Sequence, residues 1–181
     1  MQEKETEEIK AIIGLGNPGP KFHKNRHNIG FLILDELAQR YNAQWKEQNL
    51  MDQTQITIAG NNIFLIKPQT YMNDSGKVIP WLLKKGIKAE NILVVHDELE
   101  LPFGAVKCKV GGSARGHNGL RSIIQVCGPD FQRLRFGIDR PEQKEQVSSY
   151  VLTNFSEPKD DVEHGIEQAA DLIKKQCGFG E

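Results

Sequence analysis

Apolar residues recur along this chain in short runs that alternate with stretches at helical spacing. Ala11-Ile12-Ile13 and Ile92–His96 are brief, almost unbroken apolar runs, the pattern of strands covered on both faces. Phe31, Leu34, Leu37/Ala38 and Tyr41 repeat at intervals of three and four, which predicts a helix from about Ile29 to Tyr41 with Asn28 as a candidate N-cap. Val162, Ile166, Ala169/Ala170 and Ile173 form a similar stripe in a last helix, for which Ser156 reads as the cap. Gln55–Ala59 and Ile63–Ile66 flank Gly60-Asn61-Asn62 and read as a β-hairpin. Lys77–Lys85 reads as a helix closed by Gly86, with Pro80 acceptable only near its first turn. Leu120–Cys127 reads as another, with Asn118 as a plausible cap. Two segments alternate. In Ala105–Val110, Lys107 and Lys109 share one face; in Phe131–Ile138, Arg133 and Arg135 share one face and Leu134, Phe136 and Ile138 the other. Val147–Leu152 reads as a last strand.

Strands and helices interleave from one end to the other, with no repeat, low-complexity tract or linker. The expected fold class is therefore α/β: a single domain over residues 9–181, with a mixed, mostly parallel sheet flanked by helices, and residues 1–8 as a flexible extension. Ligands in open α/β sheets sit beyond the carboxyl ends of the strands. Three polar loops leave strands there: Gly14 onward, Lys67 onward and Asp97 onward. A fourth, Gly111–Gly119, has to curl back to join them.

The formal net charge is -1, but the charge is unevenly placed. Leu101–Arg140 holds seven Lys/Arg against two acids, and Pro141–Glu181 holds four Lys against nine acids. A basic segment of this kind suits a polyanionic partner, while a solvated surface with uneven charge is the plainer alternative. The three cysteines are widely spaced with no C-x-x-C pair, which argues against structural zinc and a disulfide framework and suits a reducing compartment. No apolar run approaches the ~20 residues that span a bilayer. The acidic start MQEKETEEIK has the wrong charge for a secretory or organellar leader, so a cytoplasmic location is expected.

The stretch GLGNPGPKFHKNRHNIGF, Gly14–Phe31, concentrates the candidate chemistry. Gly14, Gly16 and Gly19 spell G-x-G-x-x-G, but the dinucleotide fingerprint needs glycines that open a helix. Here Pro18 and Pro20 interrupt, and helical periodicity begins only near Ile29. No G-x-S-x-G elbow offers a nucleophile and no H-E-x-x-H offers a zinc pair, so neither a covalent route nor a metal or other cofactor is expected. What remains is His27 with a carboxylate. Asp97, at the end of a buried strand, can hold the imidazole in one tautomer, the base–orienter half of a triad with water in place of serine. Asn17, Asn73 and Asn118 can supply amide donors to an oxyanion. Each has a plainer alternative: Asn17 as a turn residue before Pro18, Asn73 and Asn118 as helix caps, Asp97 as a turn residue, His27 as a hydrogen-bonded residue at a helix start.

GLGNPGPKFHKNRHNIGF, KPQTYMNDSG, HDELELPFG and GGSARGHNGL, in this order, together resemble the bacterial-type peptidyl-tRNA hydrolases, and FQRLRFGIDRP and SSYVLTNFS extend the likeness over almost the whole chain. The resemblance implies a single-domain α/β hydrolase that cleaves the ester between a peptide and the 3′-terminal ribose of tRNA, without metal or cofactor. It implies that His27 is the base, Asp97 its orienter and Asn17 a positioner of the ester. It places Asn73 and Asn118, with Met72 and Phe22 nearby, on the peptide side, and Lys109 and Arg135, with Lys107 beside them, on the 5′-phosphate region of the tRNA. The implied partner is peptidyl-tRNA through its 3′ CCA end and 5′ phosphate, with no DNA and no membrane, and the implied state is monomeric. Phe22 stands where the family usually has tyrosine, Asn25 where it has threonine, and Arg115 where glycine is common. A different class stays open on the same fold: a non-catalytic RNA-binding relative of the organellar splicing type. The retained His27, Asp97 and asparagines count against it.

Overall fold

The computed structural model describes residues 6–178, so five residues of the expected N-terminal extension lie outside the described part. Within it, the carbonyls of Glu7 and Glu8 accept from Gln132 Nε2 and Asn91 Nδ2, at 2.8 and 3.0 Å.

Among the described residues seven strands form one sheet. They are β1 (Ala11–Gly14), β2 (Lys46–Gln48), β3 (Met51–Ile58), β4 (Asn61–Pro68), β5 (Ile92–Glu98), β6 (Val106–Val110) and β7 (Gln132–Gly137), in the spatial order β2-β3-β4-β1-β5-β7-β6. The four central strands run parallel, and antiparallel pairs close both sides. This is the mixed α/β sheet that the alternation of strand and helix patterns predicts. The apolar runs of β1 and β5 are buried because both faces are covered. On one face α1 (Ile29–Arg40) and α5 (Lys159–Cys177) pack over Ile12, Leu93, Val95, Leu134 and Phe136. On the other, α2 (Ile79–Lys84) and α3 (Asn118–Cys127) cover Ala11, Ile13, Val94 and Phe131.

Several local expectations are corrected. Val147–Leu152 is not a strand: Val147–Val151 forms a short helix, α4. Val147 and Val151, four apart, both pack on the core, so the helical period was present in a segment too short to favour it. The hairpin turns on Ala59-Gly60, both with positive φ, so the strands run in to Ile58 and Asn61, as a two-residue turn requires. Of the expected caps, Asn28 does occupy the N-cap position of α1, but its side chain bonds the Asn17 backbone instead of the helix. His117 rather than Asn118 caps α3, and Pro158 rather than Ser156 precedes α5, where Asp160 and Asp161 occupy the first turn. Pro80 does sit at the start of α2.

The sheet positions the site through one close approach. A Cβ on Gly30, in the first turn of α1, would meet the backbone of Leu15 and the carbonyl oxygen of Val95 at 2.5 Å. Without side chains there, α1 starts directly on the carboxyl ends of β1 and β5. The turn before it, Arg26–Asn28, therefore lies over the end of β5, where Asp97 stands.

Candidate active site

His27 and Asp97 meet across that approach. His27 Nδ1 lies 2.8 Å from Asp97 Oδ2. The second carboxylate oxygen, Oδ1, takes His117 Nε2 at 2.8 Å. The hydrogen bonds fix the protons. His117 Nδ1 accepts the backbone N–H groups of Gly119 and Leu120, so the ring proton is on Nε2 and is donated to Asp97. His27 likewise donates from Nδ1, and its Nε2 lone pair has no partner among the described residues.

The electrostatics agree with this arrangement. Burial by itself would raise the Asp97 pKa, but the charges and hydrogen bonds of His27 and His117 hold it well below the usual carboxylate range. For His27, burial favours the neutral ring, but the Asp97 charge and hydrogen bond outweigh it, so its pKa lies above 6.5. Neighbouring His96 is fully enclosed. Burial, then the charge of His117, push its pKa down to about 3, and its Nδ1–H donates to the Asp97 carbonyl.

The His27, Asp97 and His117 ligand atoms lie close enough to surround a metal ion. The hydrogen bonds speak against one. A neutral histidine that binds metal through Nε2 carries its proton on Nδ1, and on His117 that atom already accepts two backbone N–H groups.

The amides are placed by the same logic. Asn17 is buried. Its backbone N–H donates to Asn28 Oδ1 and its carbonyl accepts from Asn28 Nδ2, both at 2.9 Å. Its side-chain Oδ1 accepts the Met72 N–H at 2.8 Å, which leaves Nδ2 as a donor without a partner among the described residues. Met72 is buried, with its sulfur against the start of α3 at Gly119. Asn73 is exposed, and Asn118, also exposed, accepts weakly from Arg121. Phe22 is half-buried and meets Tyr71 edge-on, ring centroids 6.4 Å apart.

His27, Asp97, His117 and Asn118 border a cavity of about 460 Å³ that extends past Lys109 and Arg135. Asn17, Phe22, Met72, Asn73 and Lys107 are not on its wall. Lys107 is exposed on β6, opposite Arg135. The basic strand face also needs correction. Arg133 is buried and donates to the carbonyls of Gly112, Ser113 and Pro129, so it anchors the loop instead of facing solvent. This is how the Gly111–Gly119 loop curls back: Arg133 draws it along β7, and His117 reaches Asp97. Arg135 stands 3.6 Å from Glu98, beyond hydrogen-bond range.

Two contributors were not legible in the sequence. His117 lay in a quoted motif without a role, and a histidine just before a helix start was the available signal. The segment after β7 supplies Arg140, Lys144 and Val147 to the cavity wall, with no signal beyond its two cations.

Comparison with known proteins agrees over the length of the chain. A family model described as peptidyl-tRNA hydrolase matches residues 11–178. The chain is 45% identical over 171 residues to a peptidyl-tRNA hydrolase of Bacillus cereus, covering 92% of each. To one of Rubrobacter xylanophilus it is 41% identical over 162 residues, covering 90% of each. Its fold is similar to the crystal structure of the Acinetobacter baumannii peptidyl-tRNA hydrolase, with a TM-score of 0.83 and 38% identity over 93% of this chain and 90% of that one.

Proposed function

The chain belongs to the peptidyl-tRNA hydrolase family, and from that premise we propose how its own residues carry out the hydrolysis of peptidyl-tRNA. The bond broken is the ester between the peptide carboxyl group and the 3′-terminal ribose of tRNA. His27 Nε2 takes a proton from water, and the resulting hydroxide attacks the ester carbonyl. Asp97 holds the imidazole by Nδ1–H and stabilises the imidazolium. Asn17 Nδ2 donates to the carbonyl oxygen as it gains charge. Collapse of the tetrahedral intermediate expels the ribose oxygen, which takes the proton back from His27. The carrying observation is the His27–Asp97 hydrogen bond of 2.8 Å beside a cavity with cationic walls. Asn73 and Asn118, with Met72 and Phe22, bound the peptide side. Lys109 and Arg135, with Lys107 outside the cavity, bind the tRNA 5′-phosphate region. The enzyme acts as a monomer in the cytoplasm; among the described residues no helix is long and apolar enough to cross a membrane. The non-catalytic RNA-binding alternative is not favoured, because a splicing partner has no use for an oriented, largely buried base.

The test uses N-acetyl-aminoacyl-tRNA with EDTA present. The parent releases free tRNA, and His27→Ala loses roughly 10²–10⁴ in kcat while still binding tRNA. Normal turnover by His27→Ala places the base elsewhere.

A further inference from the structure

The cavity over the site holds more positive charge than its acids neutralise. Asp97 is occupied by two histidines, Glu98 stands beside Arg135, and Glu100 pairs with Arg140. Arg133 is engaged with loop carbonyls. Among the described residues, Lys109, Arg115 and Lys144 line this cavity without a carboxylate in ion-pair range. Uncompensated cations around one opening draw an anion into it.

Arg115 stands apart from the other two because its backbone is strained. It sits at φ +46°, beside Gly116 at +80° and in the same loop as Gly112 at +114°. In this left-handed region a residue with a Cβ costs energy that glycine does not. Arg115 gains no hydrogen bond or ion pair within the described residues in return, so the reason for an arginine here lies outside the folded chain. Its place in the loop is fixed on both sides. Lys109 Nζ lies against Gly112, where an added Cβ would come within 2.6 Å of it, and His117 is bonded to Asp97. Arg115 therefore occupies the stretch of loop that leads from Lys109 to the base.

We infer that Arg115 binds a backbone phosphate of the unpaired 3′ strand, a second phosphate subsite between the ester and the Lys109–Arg135 clamp. The inference rests on the tRNA reading above, because a substrate held at both places has to pass its 3′ strand along this loop. Guanidinium suits a phosphate oxygen pair geometrically, which a solubilising surface charge would not require. The crowding fits as well: burial, then the charges of Arg115, Arg133 and Arg135, push the Lys109 pKa down against the opposing charge of Glu98.

The experiment measures kcat and KM for Arg115→Gln, Arg115→Gly and Lys109→Ala over a salt series. It uses N-acetyl-aminoacyl-tRNA with and without its 5′ phosphate. Both Arg115 variants should raise KM about three- to tenfold, the range between an exposed ion pair and a charge-assisted hydrogen bond. Each should flatten the slope of log(kcat/KM) against log[salt] by about 0.7, as for one contact to a single strand. Removing the 5′ phosphate should abolish the effect of Lys109→Ala and leave that of Arg115→Gln. Arg115→Gly should melt at or above the parent, because glycine relieves the backbone while the phosphate contact is lost. An unchanged KM in both Arg115 variants, with Lys109→Ala impaired, overturns the inference and leaves the clamp standing. An Arg115 effect that vanishes with the 5′ phosphate overturns the second subsite by merging it with the clamp. Indifference of all three variants overturns the tRNA-docking reading of the cavity as well.

Discussion

Asp97 takes one hydrogen bond on each carboxylate oxygen, and its two partners differ in what they have left to do. His117 is committed at both ring nitrogens, to Asp97 and to the first turn of α3. His27 is committed only at Nδ1. The carboxylate is thus held still by a histidine that caps a helix, and of the two rings bonded to Asp97 only that of His27 keeps a nitrogen without a partner among the described residues. His96 shows the opposite use of burial. It is fully enclosed, its pKa lies at about 3, and it stays neutral in the native state. The unfolded chain binds a proton there below about pH 6.5. Since the folded pKa is the lower one, acid favours unfolding. From about pH 6.5 down to about 3, this residue should cost about 1.4 kcal/mol of stability per pH unit. His96→Phe removes the titrating group, so urea unfolding across that range should show a shallower pH slope than the parent, even if the variant starts from lower stability. Equal slopes would mean that His96 is protonated in the folded protein.

Among the elements, the decisive contacts join segments far apart in the chain. Arg26, next to His27, is buried and donates to Thr153 Oγ1, the Tyr150 carbonyl and Ser156 Oγ, with its guanidinium 4.0 Å from the Tyr150 ring centroid. Its backbone N–H bonds the Thr153 carbonyl, and Asn25 pairs with Asn154. The turn that carries the base is therefore tied to the segment between α4 and α5. Arg26→Lys keeps the charge and loses the fork. It should lower stability by about 1–3 kcal/mol and reduce kcat several-fold with little change in KM, read from urea unfolding and steady-state kinetics on the same sample. Lost stability with kcat intact would mean that the tie does not position His27. Such ties explain what the sequence could and could not reveal. The periods of α1 and α5 and the apolar runs of β1 and β5 are local, and each is legible in its own residues. Asn28 is legible as the residue that opens α1, but not as the partner of Asn17, which lies eleven residues away across a loop whose path no local pattern specifies. His117 is silent in the sequence for the same reason, since its role depends on Asp97, twenty residues earlier. Arg133 alternated correctly with Leu134, but alternation gives a face and not what covers it.

At the scale of the whole molecule, the parallel centre of the sheet brings the ends of β1, β5 and β7 to one rim, and the basic β6–β7 side continues that rim toward Lys109 and Arg135. Proton transfer and charge recognition are thereby separated in space. Lys109→Ala and Arg135→Ala should weaken tRNA substrates through KM, each reducing the salt slope by about one phosphate contact, and leave a short ester substrate without the tRNA body almost untouched. Equal losses on both substrates would place these residues in the chemistry instead. The central claim, that Asp97 tunes and orients His27 as the base, is tested most directly by the pH dependence of kcat/KM for the parent and Asp97→Asn on N-acetyl-aminoacyl-tRNA. In the free enzyme the acid limb reports protonation of the base. Because the carboxylate raises the His27 pKa, the parent limb should have its midpoint above 6.5. In Asp97→Asn that midpoint should move to lower pH while the plateau falls by roughly 10²–10⁴. A midpoint that stays in place when the carboxylate is removed, with the plateau preserved, would contradict the account.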